Sequence, residues 1–263
     1  MQNMFLYSKE ENKFISKGFL IKKAERFKSL NYINLFLKKK LCKILKIKKN
    51  YSSFDLNKIH NYTDEKNLNK IRLKLINEIN KDTKFRKNYF LLACSTLSKI
   101  IGNELAMQNN INLSIQLPND ESSILPIHSD TWSGDSPFET VLWLPLVNCY
   151  RSKSMFILKA KKVNALHKKF NNKKIKSVSD LYRSFKKDFI FIKINFGNFL
   201  LFNQNLPHGN QVNKTKETRV SLNCRFKGLF TPYFQKKLGS FFSPLSVKPA
   251  SRVGLEYKFP GEK

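Results

Sequence analysis

The stretch LPIHSD, residues 125–130, places His128 and Asp130 two positions apart. Because alternate residues of an extended strand point to the same face, this segment can direct an imidazole and a carboxylate to one point. A second histidine, His208, comes much later in the chain and precedes Gly209. Two histidines and one carboxylate with open coordination positions form the facial set that binds Fe(II) for oxygen chemistry. The sequence therefore predicts His128, Asp130 and His208 as metal ligands and catalytic residues.

A later strand supplies a candidate anchor for an organic acid. In the predicted strand 218–226, Arg219, Ser221 and Arg225 share one face. A 2-oxo acid that chelates iron leaves a second carboxylate that needs a cation, and an arginine fork suits it. We therefore predict Arg219 as the anchor, with Ser221 adding a hydroxyl donor. Arg225 is the second choice for the anchor, or a substrate contact.

The order of the short motifs along the chain carries a family resemblance. They are His128-x-Asp130, Gly197-Asn198-x-Leu200-Leu201-x-x-Gln204, His208-Gly209, Asn213-x-Thr215 and Arg219-x-Ser221. In this order they resemble the Fe(II)/2-oxoglutarate-dependent dioxygenases of the phytanoyl-CoA-hydroxylase-like branch. The run LPIHSDTWSGDSPFE, residues 125–139, is similar to a bacterial group of 2-oxoglutarate oxygenases found sporadically in carbohydrate biosynthesis clusters. The resemblance covers residues 111–230, about half the chain.

The resemblance implies a double-stranded β-helix, a cupin-like jelly roll, that binds Fe(II), 2-oxoglutarate and O2. It implies iron bound by His128, Asp130 and His208, and 2-oxoglutarate held by Arg219 and Ser221. The implied enzyme oxidises a sugar, nucleotide-sugar or surface-polysaccharide intermediate and releases succinate and carbon dioxide. Two alternatives stay open. One is an enzyme with the same cofactors and a non-sugar small-molecule substrate, such as an amino acid or a lipid-linked molecule. The other is a non-catalytic cupin-like binding module.

Further polar residues are candidates for contacts in the pocket. Thr131, Trp132, Asp135 and Glu139 follow the metal pair and either line the substrate mouth or pack within their loop. An aromatic ring at this place can stack on a sugar. Gln116 lies on the polar face of the predicted strand 111–117, which we expect to form the wall of the pocket, where it is a candidate contact to 2-oxoglutarate or substrate.

The charge of the chain is strongly positive, at +30, and lysine supplies nearly all of it because only eight residues are arginine. Arginine is the preferred reader of phosphate and guanine, so nucleic acid is an unlikely partner. The abundance of Lys, Asn, Ile and Phe fits an AT-rich genome. No apolar run reaches membrane-span length and residues 1–10 do not resemble a signal peptide, which favours a soluble, cytoplasmic protein. A basic amphipathic helix at 32–47 either contacts a membrane surface or, as we prefer, packs on the domain.

The order of helical and strand patterns predicts a mainly β protein with flanking helices. We predict a helical region over 1–108, a β core over 109–231 with a helical insertion at about 163–187, and a basic extension over 232–263, to which no fold is assigned. Many short strands separated by turns are typical of a jelly roll. Strands at 189–196 and 199–202 flank Gly197-Asn198, which predicts a hairpin. The sequence does not indicate an oligomeric state.

Overall fold

The computed structural model describes residues 6–48, 50–172 and 174–261. In these residues, ten strands form two antiparallel sheets and confirm the predicted jelly-roll core with helices before it. The strands are β1 (Phe19–Lys23), β2 (Leu105–Gln108), β3 (Asn112–Gln116), β4 (Thr140–Pro145), β5 (Phe156–Leu158), β6 (Phe189–Phe191), β7 (Asn198–Asn203), β8 (His208–Gly209), β9 (Arg219–Gly228) and β10 (Phe242–Ser246).

The larger sheet is built around the long strand β9. Its order is β1-β7-β4-β9-β2-β10, and β3 also pairs with β9, beside its first half. The smaller sheet has the order β6-β5-β8. Alternate side chains of β9 enter the core, where Val220, Leu222, Cys224 and Phe226 are fully buried. The opposite face of β9 is therefore free to line a cavity between the sheets.

Helices cover the outside of the larger sheet and occupy the predicted insertion. They are α1 (Lys9–Lys17), α2 (Phe27–Ile44), α3 (Glu65–Lys81), α4 (Thr83–Leu91), α5 (Cys94–Ile100), α6 (Val163–Asn171), α7 (Val178–Phe185) and α8 (Pro249–Glu256). Asp64 caps the start of α3 and Asp82 that of α4, each by accepting a hydrogen bond from a backbone N–H.

The basic helix α2 packs within the protein, as we preferred. Leu30, Ile33, Leu37 and Leu41 recur at helical spacing and are buried. They belong to the core that α3 and α4 also join. Within the described ranges, no helix has both the length and the apolar character that crossing a membrane requires.

An expectation about the strands was wrong. The predicted hairpin at Gly197-Asn198 is not formed, because β6 pairs with β5 in the small sheet whereas β7 pairs with β1 and β4 in the large one. The turn at Gly197 therefore carries the chain from one sheet to the other. The C-terminal extension, to which no fold was assigned, contributes β10 and α8. Strands β1, β2 and β10 join the large sheet from outside 109–231, and the three-part division of the chain stays a prediction.

Candidate metal centre

The two predicted histidine ligands face each other across a β-bridge. The His128 N–H donates to the His208 carbonyl at 3.0 Å, and the His208 N–H donates to the His128 carbonyl at 2.8 Å. Residues that exchange both backbone hydrogen bonds project their side chains to the same side of the ladder. The two imidazole rings therefore lie together, with centroids 4.4 Å apart.

Asp130 reaches the same point by a route that the sequence did not predict. The segment before it was expected to be a strand, but only His128 makes a bridge, and Asp130 begins a short 3-10 helix, Asp130–Ser133. This tight turn places one carboxylate oxygen, Oδ1, 3.5 Å from Nε2 of His128. The ligand atoms of His128, Asp130 and His208 all lie within 4.8 Å of one another. One metal ion can therefore contact all three.

Backbone carbonyls fix the tautomers of both histidines. Nδ1 of His128 lies 2.7 Å from the carbonyl of Pro126, and Nδ1 of His208 lies 2.8 Å from the carbonyl of Leu206. A carbonyl oxygen can only accept, so each neutral ring donates from Nδ1–H and presents the lone pair of Nε2 to the shared point. Such partners orient the histidine ligands of metal sites.

Burial and neighbouring charges set the protonation of the three ligands. Burial lowers the pKa of His208 to about 4, so this ring is neutral at pH 7. Burial acts to raise the pKa of Asp130, but the neighbouring His128 side chain and the charge of Arg225 outweigh it, and the pKa lies well below the usual range. The site therefore holds a carboxylate beside a neutral imidazole, which is the form that a divalent metal requires.

Gly209 allows the two ligand segments to approach each other. A Cβ atom at this position would lie 2.9 Å from the carbonyl oxygen of Leu125 and 3.1 Å from the ring of Phe156. Both distances are shorter than ordinary van der Waals contact, and the first involves backbone that cannot turn away. The glycine after His208 therefore belongs to the geometry of the centre.

The three ligands open into a cavity of about 530 Å3 between the sheets. Arg219, Ser221, Asn223 and Arg225 of β9 all line it, as their shared face predicted. The neighbouring strand β3 adds Asn112 and Ser114, which lie opposite Asn223 and Ser221 in the register. The size is typical of small-molecule sites, and the wall along β3 and β9 is polar.

Arg219 is buried and forms no ion pair among the described residues, although the charge of the buried Asp120 acts on it from nearby. Its side chain is 4% exposed, and one Nη atom donates to the hydroxyl of Ser114 at 3.1 Å. In the part of the chain that the structure describes, Nε of Arg219 and the hydroxyl oxygen of Ser221 have no hydrogen-bond partner. Burial lowers the pKa of Arg219, because the charged form has lost its hydration. A buried guanidinium and a buried hydroxyl with unused hydrogen-bond donors are suited to hold an anion.

Arg225 has a different environment, because acidic side chains already surround it. One Nη atom lies 3.1 Å from Oδ1 of Asp130 and 3.4 Å from Asp135, and Nε donates to the side chain of Gln204 at 3.0 Å. The guanidinium therefore contacts the carboxylate of Asp130 directly and orients it. This position does not favour Arg225 as the anchor for a second carboxylate.

The remaining candidates lie around the centre rather than in the cavity wall. Asp135 is buried and pairs with Lys236 at 2.6 Å, whereas Glu139 is buried and accepts from Gln204 at 3.0 Å. Neither lines the cavity. Because both carboxylates are buried and paired outside the cavity, their positions match the second alternative, packing within the loop.

Thr131, Trp132 and Gln116 are also absent from the cavity lining. Thr131 shares a hydrogen bond with Ser129, and Trp132 is 41% exposed and packs edge-on against Phe170 of α6. Gln116 is buried opposite Arg219 in the register and donates to the backbone carbonyl of Gln211. Contacts from these three residues to ligands stay predictions.

One cationic residue of the cavity was not predicted from the sequence. Arg72 projects from α3 into the lining, although only a helical region over 1–108 was predicted here. Its sequence signal is an arginine next to the apolar stripe of a helix whose other basic residues are lysines. That pattern alone does not say which cavity the helix borders.

Comparison with known proteins identifies the fold but no sequence family. No protein-family model matches the sequence, and it has no significant match among curated proteins. The fold is similar to that of the non-haem monooxygenase ThoJ in its nickel complex, with a TM-score of 0.58, 12% identity, and 92% of this chain and 85% of that chain covered.

Two further solved structures share the fold. HygX from Streptomyces hygroscopicus, with nickel and 2-oxoglutarate bound, gives a TM-score of 0.51 at 11% identity over 89% of this chain and 91% of that one. EctD from S. alaskensis with bound Fe gives 0.50 at 13% identity over 89% and 80%. At these identities the likeness establishes a common fold alone.

Proposed function

We propose that this protein is an Fe(II)- and 2-oxoglutarate-dependent oxygenase. One observation carries the proposal: a set of two histidines and one aspartate opens into the same cavity as a buried arginine whose Nε has no hydrogen-bond partner among the described residues. The first group suits a divalent metal, and the second suits a small carboxylic acid. Both lie in a fold that HygX, with nickel and 2-oxoglutarate bound, and EctD, with iron bound, also have.

The donor set fits Fe(II). His128 and His208 present Nε2 atoms, Asp130 presents a carboxylate oxygen, and the cavity leaves the opposite side of a bound ion open. Arg225 contacts Asp130, with one Nη atom 3.1 Å from Oδ1. When bound, iron together with 2-oxoglutarate and O2 supplies an oxidant that inserts oxygen into an unactivated C–H bond, while 2-oxoglutarate becomes succinate and carbon dioxide.

The residues around Arg219 fit the far carboxylate of 2-oxoglutarate. Nε of Arg219 and the hydroxyl of Ser221 both have free hydrogen-bonding capacity, and both belong to the cavity lining. A carboxylate placed there accepts a pair of charge-assisted hydrogen bonds from the guanidinium and a third from the hydroxyl. Gln116 lies next to Arg219 across the ladder, and its free carbonyl oxygen can only accept, so we keep it as a neighbour of the guanidinium rather than as a donor to 2-oxoglutarate.

We further propose a sugar-derived substrate, such as a nucleotide-sugar or a surface-polysaccharide intermediate. The amide and hydroxyl side chains of Asn112, Ser114 and Asn223 give the cavity several neutral donors and acceptors, which suits the hydroxyl groups of a sugar. The likeness of residues 125–139 to oxygenases of carbohydrate clusters in the phytanoyl-CoA-hydroxylase-like branch also supports this substrate class. An amino acid or a lipid-linked molecule is the alternative substrate.

Turnover of 2-oxoglutarate separates the enzyme from a binding module. We would incubate the iron-loaded protein with 2-oxoglutarate, O2 and ascorbate, and measure succinate with and without candidate sugars and nucleotide-sugars. The proposal expects slow succinate release alone, faster release with a substrate, and none from His208→Ala. Iron and 2-oxoglutarate binding without succinate under any of these conditions would instead support a non-catalytic module.

A further inference from the structure

Arg72 gives the cavity a cationic group that the proposed iron and 2-oxoglutarate chemistry does not use. It is half-buried, lies on α3 and belongs to the cavity lining together with Asn112 and Asn223. One Nη atom donates to the side-chain oxygen of Asn69 at 2.8 Å, and this acceptor is neutral. Among the described residues, no carboxylate forms an ion pair with Arg72.

The other two arginines of the cavity have assigned partners. Arg225 contacts Asp130 and Asp135, and Arg219 lies beside Ser221, where we place the far carboxylate of 2-oxoglutarate. Asp130 is the one carboxylate among the described residues that line the cavity. The three arginines and Asp130 of the lining sum to +2, and Fe(II) with doubly charged 2-oxoglutarate adds zero, so the loaded cavity stays positive and no carboxylate of the described lining pairs with Arg72.

The helix that carries Arg72 is fixed to the cavity wall. Near its end, the Asn80 side chain donates to the carbonyl of Ile111 at 3.0 Å and accepts from the N–H of Ile111 at 2.7 Å. Ile111 directly precedes β3, the strand that lines the cavity with Asn112 and Ser114. Arg72 therefore lies on a helix whose position relative to the polar wall is fixed by two hydrogen bonds between the Asn80 side chain and the Ile111 backbone.

We propose that Arg72 binds an oxyanionic group of the substrate, either a carboxylate or a phosphate, and so determines that the substrate is an acidic small molecule. A guanidinium presents parallel N–H donors to such a group and forms stronger hydrogen bonds with it than with a neutral acceptor. The inference rests on the proposed function, because it assumes that 2-oxoglutarate occupies Arg219.

Binding to the loaded protein tests the role of Arg72. Protein loaded anaerobically with Fe(II) and 2-oxoglutarate would be titrated calorimetrically with inorganic phosphate, glucose 1-phosphate, glucuronate and glucose. Wild type would be compared with Arg72→Gln, Arg72→Lys and the control Lys66→Gln, which removes an exposed charge from the same helix outside the cavity lining. The visible charge-transfer band would be recorded for each loaded sample, and circular dichroism would verify folding.

We expect wild type to bind at least one oxyanionic probe more tightly than glucose. Arg72→Gln should weaken that binding roughly tenfold to hundredfold, Arg72→Lys less, and Lys66→Gln less than about twofold. The affinities for glucose 1-phosphate and for glucuronate show whether Arg72 prefers a phosphate or a carboxylate. Two results, each with a normal band, would overturn the role of Arg72 alone. In the first, Arg72→Gln binds the oxyanionic probes as tightly as wild type does. In the second, wild type binds them no more tightly than glucose. Absence of the band in wild type would overturn the proposed function and this inference with it.

Discussion

Replacing Arg219 with methionine should weaken 2-oxoglutarate binding strongly and yet leave the ligand-free protein at least as stable. The guanidinium is buried, and Nε has no partner within the described ranges, so its charge has been removed from water without full compensation. Methionine of similar length fills the space without that cost. When 2-oxoglutarate is bound, the lost interactions are two charge-assisted hydrogen bonds, worth about 3–5 kcal/mol together. This corresponds to a roughly 10²- to 4 × 10³-fold weaker affinity.

Urea unfolding with and without 2-oxoglutarate measures both effects in one experiment. Mn(II)-loaded wild type should gain stability as 2-oxoglutarate is added, in proportion to the logarithm of its concentration above the dissociation constant. Arg219→Met should show this gain only at far higher concentrations, and Arg219→Lys, which keeps the charge and loses the fork, should be intermediate. A variant that is several kcal/mol less stable without ligand, and that still responds to 2-oxoglutarate like wild type, would refute the assignment and make Arg219 a structural residue.

Three further perturbations test the geometry of the metal centre. Gly209→Ala should weaken iron binding at least tenfold in a direct titration, because its Cβ would press on the Leu125 carbonyl at 2.9 Å, whereas Gly254→Ala, which meets open space, should not. Arg225→Met should weaken Mn(II) binding about 10- to 100-fold by releasing Asp130, and unchanged or tighter binding would contradict that role. For His208, burial lowers the pKa to about 4 from 6.5, so the unfolded chain takes up a proton more readily between these values. The metal-free protein should thus lose up to about 3 kcal/mol of stability as the pH falls from 6.5 to 4. Urea unfolding of His208→Asn should lack this component, and an identical pH dependence would count against it.

The grouping of His128, Asp130 and His208 and the shared face of β9 were predictable because they depend on local rules. The period of two along a strand separated Arg219 and Ser221 from Val220 and Leu222, and the structure places the first pair in the cavity lining and the second pair in the core. The requirement of an Fe(II) site for two histidines and one carboxylate selected His128 and His208 as the candidate histidines. Neither rule needs knowledge of which segments meet in space.

The expectations that failed depend on contacts between distant segments. The turn at Gly197 was visible in the sequence, but whether β6 and β7 join one sheet depends on their partners β5 and β1. The segment before Asp130 has no ladder of its own because its pairing is limited to the bridge with His208. Arg72 was missed for the same reason, since its cavity is defined by the packing of α3 near β3.

The central claim is that one cavity holds iron on His128, Asp130 and His208, and 2-oxoglutarate on Arg219. Anaerobic titration of Fe(II) and 2-oxoglutarate, followed through the visible charge-transfer band of the chelate, tests it most directly. The band should form in wild type, be lost in His208→Ala, and require at least a hundredfold more 2-oxoglutarate in Arg219→Met. A folded, iron-loaded wild type that shows no band with 2-oxoglutarate would contradict the account and make a non-catalytic binding module the leading explanation of this fold.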